Sequence, residues 1–270
     1  MKNYTMTIDF HVHAFNPKIA EKAVGKLAEV AKIKPYTYGL TDETINCFDK
    51  WGVDKGVLLP IATKPSQHKI INDWAAEQDG NRFISFGSIH PDGEDALYEL
   101  EKIKDRGLHG VKLHPDYQGF MVDDKKMEPV YEEIERLGLP VVFHAGFDCI
   151  SPNLIHCPPE RSVNVWKRHK HMKMVLAHLG GNQQWNEVYD ILAGLDGELY
   201  FDTAFAMDCD NALMEKIINK HGADRILFAS DCPWESAGKL KEKILSLNIS
   251  DDKKENILGG NALRLLEINV

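Results

Sequence analysis

Short continuous runs of hydrophobic residues recur along this chain, separated by longer segments in which apolar residues recur every three or four positions. Runs that are apolar on both faces are typical of strands in a parallel sheet that helices cover. Eight such runs predict strands over residues 8–13, 56–60, 83–89, 110–114, 140–144, 172–178, 199–203 and 225–231. The hydrophobic pattern therefore indicates a large parallel sheet.

The segments between these runs have the spacing of amphipathic helices. Predicted helices cover residues 17–34, 41–51, 67–78, 94–105, 126–137, 163–169, 182–195, 211–220, 239–247 and 253–266. Strands that alternate with helices along a whole chain are typical of βαβ units, and eight such units predict an α/β fold, a single (β/α)8 TIM barrel over residues 1–270. A doubly wound open sheet is the alternative, but it needs a glycine-rich phosphate turn, and Gly180-Gly181 is too sparse to form one.

Composition excludes several classes of partner. The 270 residues include 32 Lys and Arg against 41 Asp and Glu, a net charge of −9, which opposes binding to a phosphate backbone. The longest apolar stretch, Val57 to Ala62, is too short to span a membrane, and Met1 to Thr7 lack the order of a signal peptide. The five cysteines form no CxxC pair and are interpreted as reduced thiols. We expect a cytoplasmic protein with a small-molecule substrate and no nucleic-acid or membrane partner. The sequence leaves open whether the protein forms a homodimer.

Side chains that can bind a metal ion end four of the predicted strands. His11 and His13 point the same way because side chains alternate along a strand, and His144, His178 and Asp231 end later strands. The carboxyl ends of barrel strands form one face, where the active sites of such enzymes lie. Histidine and carboxylate ligands suit zinc and tolerate manganese, iron or cobalt. An isolated His-x-His pair can be incidental, but the repeated pattern favours a metal site.

These motifs resemble the metal-dependent amidohydrolase superfamily. The narrower resemblance is to its second large family, which holds hydrolases and non-oxidative decarboxylases of the aminocarboxymuconate-semialdehyde (ACMS) decarboxylase type. The matching segments, in chain order, are DFHVH (9–13), GVKLHP (110–115), FHAG (143–146), LAHLGG (176–181), FDTA (201–204), SDCPW (230–234) and GGNALRLL (259–266). The resemblance covers nearly the whole chain and is specific for fold and superfamily, but weak for substrate.

The resemblance implies one divalent metal ion, zinc as first choice, held by His11, His13, His144 and Asp231. Asp231 is also expected to take a proton from a metal-bound water. His178 is expected beside the metal, either as a further ligand or as a catalytic acid or hydrogen-bond donor that stabilises a developing oxyanion.

Four further residues are candidates for substrate contact. Lys112 and His114 share one face of a strand; in some branches of the superfamily a carbamylated lysine there bridges two metals, whereas a charge paired inside the barrel or a substrate contact are the alternatives. Arg161 could hold a substrate carboxylate or pair with an acid such as Glu160. Trp234, just after Asp231, could form an apolar wall or simply pack. Five other histidines are expected at the surface, namely His68, His109, His169, His171 and His221.

Three functions remain open. Because hydrolysis is the commoner reaction of the superfamily, we predict a metal-dependent hydrolase that acts on a small carbonyl, ester, amide or lactone substrate through a metal-activated water. The alternative is a non-oxidative decarboxylase of a small unsaturated or aromatic acid that uses the same metal site. A metal-binding protein without chemistry is the non-enzymatic alternative. A serine hydrolase is disfavoured because the chain has no GxSxG motif.

Overall fold

The computed structural model describes residues 6–80 and 82–268. Within this part of the chain, nine strands pair in parallel. They are β1 Ile8–Val12, β2 Lys55–Leu58, β3 Phe83–Ser85, β4 Gly87–Ser88, β5 Val111–Leu113, β6 Val141–Phe143, β7 Met174–Leu176, β8 Leu199–Asp202 and β9 Ile226–Leu227. Every predicted strand is present, although each is shorter than its apolar run.

Backbone hydrogen bonds join these strands into a closed ring of eight. β3 and β4 are separated only by Phe86, whose N–H donates to the Leu58 carbonyl at 3.0 Å, while the Gly87 N–H donates to the Gly110 carbonyl at 2.8 Å. The two segments therefore form one barrel strand. The Phe10 N–H donates to the Phe228 carbonyl at 2.7 Å and closes the ring between β9 and β1. The prediction of a (β/α)8 barrel is confirmed.

Helices follow the strands and cover the outside of the barrel. They are α1 Ala20–Ala31, α2 Thr41–Trp51, α3 His68–Gln78, α4 Ala96–Asp105, α5 Pro115–Gln118, α6 Glu128–Leu137, α7 Pro159–Arg168, α8 Trp185–Glu187, α9 Asn211–His221, α10 Ala237–Ser246, α11 Asp251–Glu255 and α12 Asn261–Leu265. α7 begins earlier than the predicted 163–169, since Pro159 occupies its first turn, where proline needs no amide donor. Single π-helical turns interrupt two predicted helices: Val188–Leu192 lies within the predicted helix 182–195, and Asn256–Gly260 lies within the predicted helix 253–266. None of the helices in the described residues has the length and hydropathy that crossing a bilayer requires.

Alternating side chains divide the core into an outer and an inner cluster. Val111 and Leu113 belong to the cluster between strands and helices, and Val142 and Val175 belong to the cluster inside the barrel. Lys112, between Val111 and Leu113, therefore points into the barrel, where its side chain is fully buried.

Three of the five histidines expected at the surface are buried, so that prediction was wrong for His68, His169 and His221. Each of these three imidazoles forms a hydrogen bond with another residue of the protein. His68 Nε2 lies 2.9 Å from Asp95 Oδ1, and His169 Nε2 lies 2.9 Å from Glu128 Oε2. His221 Nε2 donates to the Leu199 carbonyl at 3.0 Å. Hydrogen bonding removes most of the cost of burying an imidazole, and sequence spacing does not reveal it.

Candidate metal and substrate site

The ends of β1, β6, β7 and β9 bring the predicted metal-competent residues to one mouth of the barrel, where β8 also ends. Three residues at these ends, His178, Phe205 and Asp231, have left-handed backbones with φ of 62°, 53° and 71°. Such a conformation is unfavourable for residues other than glycine and clusters at functional sites. Here the left-handed backbone turns the chain sharply after each strand. His178 and Asp231 are among the residues that line a cavity at this mouth of the barrel.

A compact set of three ligand atoms lies at the end of β1. His11 Nε2 and His13 Nε2 are 3.1 Å apart, and Asp231 Oδ1 lies 3.4 Å from the first and 3.1 Å from the second. Ligands about 2.0–2.2 Å from one ion at tetrahedral angles lie roughly 3.3–3.6 Å apart, so the spacing suits a first-row divalent metal. Asp231 Oδ1 is buried without a hydrogen-bond partner, which is the state of a ligand oxygen that a cation would satisfy.

The hydrogen bonds on the far side of each ring assign the tautomers of this set. His11 Nδ1 donates to Asp202 Oδ2 at 2.8 Å, and His13 Nδ1 donates to the Leu59 carbonyl at 2.9 Å. Both Nε2 atoms therefore carry lone pairs toward Asp231. Burial and the neighbouring Lys112 also hold the pKa of His11 well below its usual range, so this imidazole is neutral at neutral pH. Neutral imidazole is the form that binds a metal ion.

Asp202 is a site residue that the sequence analysis missed. Its Oδ2 accepts from His11, and its Oδ1 accepts from the backbone N–H groups of His178 and Ala204, both at 3.0 Å. A carboxylate on the outer nitrogen of a metal-binding histidine fixes the ring and raises its basicity. The FDTA segment, in which an acid ends an apolar strand, was the signal that could have found it.

His144 and His178 lie beside the three-atom set and against each other. His178 Nδ1 donates to the Ala204 carbonyl at 3.0 Å, which leaves the Nε2 lone pair facing His144 Nδ1 at 2.9 Å. Burial lowers the pKa of His178 to about 4. The structure thus brings His144 and His178 to the barrel mouth beside the predicted metal ligands. His144 lies next to the set of His11, His13 and Asp231 rather than within it. Their roles as metal ligand and as catalyst stay predictions.

A second group of possible ligands, His114, His144 and Asp148, lies on the neighbouring wall. Asp148 Oδ2 is 3.6 Å from His114 Nε2 and 3.7 Å from His144 Nε2, and burial raises the pKa of Asp148 to about 6. The two imidazole rings stack, with centroids 4.2 Å apart and planes inclined by 8°. Because the nitrogen lone pair lies in the ring plane, stacked rings direct their lone pairs along parallel planes and do not converge on one ion. The set around His11 is therefore the better metal site.

The four predicted substrate contacts fall into two groups. Lys112, His114 and Trp234 line the same cavity as the metal-competent residues. Lys112 Nζ lies 3.2 Å from His11 Nε2, and burial lowers its pKa to about 8. Arg161 is not among the lining residues: it lies in the first turn of α7, 45% exposed, with Nη1 2.7 Å from Asp123 Oδ1. The structure corrects the prediction for Arg161, because its guanidinium already has a carboxylate partner outside the cavity.

The cavity has a volume of about 790 Å³, within the range of small-molecule sites. Its floor holds the histidines and Asp231, and its upper wall includes apolar residues of α1 and of the loop after β6. The arrangement combines a divalent-metal donor set with a largely apolar space for an organic molecule.

Comparisons with known proteins agree with the barrel fold. The model of a protein family described as amidohydrolase matches residues 8–268. A curated relative, 2-amino-3-carboxymuconate-6-semialdehyde decarboxylase of Dictyostelium discoideum, is 27% identical over 241 residues. That match covers 74% of this chain and 66% of the relative, so the chain spans slightly less than two thirds of the relative's length.

Two solved structures share the fold along nearly their whole length. 5-Carboxyvanillate decarboxylase from Sphingomonas paucimobilis has a TM-score of 0.71 and 19% identity, over 98% of this chain and 99% of its own. Dihydroxybenzoic acid decarboxylase from Polaromonas sp. JS666, with bound manganese and the inhibitor 2-nitroresorcinol, has a TM-score of 0.71 and 17% identity, over 98% of both chains. At these identities the likeness concerns the fold.

Proposed function

The chain belongs to the amidohydrolase family, and on that premise we propose that it is a metal-dependent decarboxylase of a small unsaturated or aromatic acid. The observation that carries the proposal is the donor set of His11, His13 and Asp231 at the floor of an apolar cavity. The sequence alone favoured hydrolysis and kept decarboxylation as the alternative. The curated relative and both of the compared structures are decarboxylases by name, and they support the alternative.

The residues around the donor set fit this reaction. His11, His13 and Asp231 would hold the divalent ion, with His144 beside them; the ion would supply a Lewis acid for a substrate oxygen. The manganese in the Polaromonas structure supports a divalent ion without fixing its identity here. Zinc remains our first choice from the ligand types, with manganese, iron and cobalt as alternatives.

In the reaction, the carbon–carbon bond to the carboxylate breaks and carbon dioxide leaves. The electron pair stays on the substrate carbon, which then takes a proton. We assign proton transfer to Asp231, which would accept a proton from water or from a substrate hydroxyl and deliver it to this carbon. Its side chain is 12% exposed and lines the cavity, whereas that of His11 is 1% exposed. His178 is neutral at neutral pH, and its Nε2 lone pair can accept a hydrogen bond from a hydroxyl of the substrate.

A substrate panel tests the proposal. The protein is loaded with zinc or manganese and offered 2,6-dihydroxybenzoate, 5-carboxyvanillate, a set of lactones and a set of amides. Carbon dioxide release and ring or amide opening are followed in parallel, with the metal-stripped protein as the control. We expect metal-dependent release of carbon dioxide from an acid. Metal-dependent opening of a lactone or amide without carbon dioxide release would instead establish the hydrolase.

A further inference from the structure

The cavity at the barrel mouth is larger than one substituted benzene ring. Its volume of about 790 Å³ lies in the upper part of the range, about 300–1,000 Å³, of sites that bury a drug-sized ligand. A single-ring acid such as 2,6-dihydroxybenzoate is much smaller than a ligand of that size. With its carboxylate over the set of His11, His13 and Asp231, such an acid would leave much of the cavity unfilled.

Helix α1 supplies one continuous wall of this cavity. From the residue before the helix to its last residue, every fourth side chain lines the cavity, namely Ile19, Ala23, Leu27 and Ala31. Side chains four positions apart are neighbours on a helix, so these four form one stripe. With a rise of about 1.5 Å per residue, the stripe is about 18 Å long. The cavity therefore extends from the metal-competent set to a long wall of apolar side chains.

Much of this stripe is open to the cavity. α1 buries only Ala20 and Val24 in the protein interior, whereas Ile19 is 54% exposed and Leu27 is half-buried. Apolar surface left against water carries a free-energy cost that an apolar ligand removes. Because the stripe lines the same cavity as the metal-competent set, a molecule bound at that set is in position to cover it.

Other elements extend the apolar surface around the stripe. Further apolar lining residues come from α3 and from the segments after β1, α1, β2 and β6, namely Phe15, Ile33, Ile61, Ile71, Phe147 and Ile150. Lys26 also lies on the α1 wall and is exposed. A lysine at such a position can pack its methylene groups on an apolar surface while its ammonium group stays in water. Lys26 therefore does not interrupt the stripe.

Within the proposed function, on which this inference rests, we propose that the substrate is an aromatic acid that carries an apolar chain, and that α1 binds the chain. The carboxylate and the ring lie over the donor set, and the chain extends along the stripe of α1. In the reaction the carboxylate leaves as carbon dioxide, the ring carbon takes one proton, and the chain is unchanged. The α1 wall thereby selects substrates by the length of the chain.

The test compares ligands that differ only in chain length. 2,6-Dihydroxybenzoate and its 4-methyl and 4-pentyl derivatives lose carbon dioxide to give resorcinol, 5-methylresorcinol and 5-pentylresorcinol, respectively. In calorimetry with the metal-loaded protein, 5-pentylresorcinol should bind at least about tenfold more tightly than resorcinol, because each buried methylene contributes up to about fourfold in affinity. 5-Methylresorcinol should lie between them, and kcat/KM for the three acids should rise in the same order. Equal or weaker binding of 5-pentylresorcinol would overturn the inference.

Two double variants test whether α1 binds the chain. Ile19→Gln with Leu27→Gln changes the stripe, whereas Val30→Gln with Ile70→Gln changes two exposed apolar residues that are not among the described lining residues. The first variant should lower the affinity ratio of 5-pentylresorcinol to resorcinol by about fivefold or more, and the second should leave it unchanged. Ile19→Gln alone, at the more exposed position, should lower the ratio in the same direction by a smaller factor. An unchanged ratio in both stripe variants would also overturn the inference.

Failure of the proposed function is distinguishable from failure of this inference. If none of the three acids releases carbon dioxide, the proposed decarboxylase fails, and the binding of the three resorcinols alone decides the inference. Tighter binding with increasing chain length, lost in the stripe variants, supports it. No binding of any of the three rejects it.

Discussion

His11 Nδ1 donates a hydrogen bond to Asp202 Oδ2 at 2.8 Å, and this contact joins the ends of β1 and β8 across the barrel mouth. Both side chains are buried, with 1% and 0% of their surface exposed. The contact determines which nitrogen of His11 is left for a metal ion. Because Asp202 also accepts the backbone N–H of His178, one carboxylate organises two histidines of the site.

Replacing this carboxylate should weaken metal binding. Asp202→Asn removes the negative charge that makes His11 a stronger donor, so we expect metal affinity to fall by about 10- to 100-fold. Competition with a chelator dye measures the change. Asp210→Asn is the control, since Asp210 is an exposed cap of α9 and its replacement keeps a capping side chain. An unchanged affinity in Asp202→Asn would contradict the role assigned to Asp202.

His178 should be needed for turnover more than for metal binding. In His178→Asn the ligand atoms of His11, His13 and Asp231 remain, so the protein should keep its metal while kcat falls by about 10²–10⁴-fold, as is typical for loss of acid–base or hydrogen-bonding help. Metal content per chain and kcat are measured on the same preparation. An empty site in this variant would make His178 a metal ligand and pass its catalytic role to another group.

Arg161 should matter little for the reaction. Its ion pair with Asp123 is on the exposed side of α7, so Arg161→Met should leave kcat and KM within about threefold of the wild type and change the free energy of unfolding by about 1 kcal/mol or less. Steady-state kinetics and urea unfolding check both values. A large rise in KM would return Arg161 to the substrate site.

Burial of His221 should make the protein less stable in acid. Burial, with Arg225 nearby, lowers the pKa of His221 to about 3, from an ordinary value of 6.5. The unfolded chain therefore takes up this proton before the folded protein does, and stability is lost as pH falls from about 6.5 toward 3. Each pKa unit is worth about 1.4 kcal/mol, so the whole effect amounts to several kcal/mol.

Urea unfolding between pH 7 and pH 4 measures this loss. His221→Gln should flatten the pH dependence, since glutamine does not titrate, while the same change at the exposed His171 should not. A wild-type and a His221→Gln curve with equal slopes would exclude His221 as the cause.

Most of the barrel could be predicted from the sequence because its strands are local apolar runs and its helices have a regular spacing. The predicted ends of β1, β6, β7 and β9 also placed the metal-competent residues at one mouth. This worked because the C-terminal ends of parallel strands meet at the same side of a barrel.

Contacts between distant residues could not be predicted in the same way. Asp202 and His11 are 191 positions apart, and nothing in their local sequences tells which strand end meets which ring nitrogen. Arg161 was assigned to the cavity because it follows a loop on the correct face, but the orientation of α7 directs it to Asp123. The buried His68, His169 and His221 depend likewise on partners that only the fold supplies.

The account rests on Asp231 being both a ligand and the residue that transfers the proton, and one measurement tests this directly. Wild-type protein and Asp231→Asn are loaded with zinc or manganese, and metal per chain is determined beside carbon dioxide release from 2,6-dihydroxybenzoate. The account predicts that the wild type binds close to one ion and releases carbon dioxide. Asp231→Asn should retain most of the ion and lose nearly all release, because an amide does not carry the proton at neutral pH. Release by the variant at the wild-type rate would contradict the account.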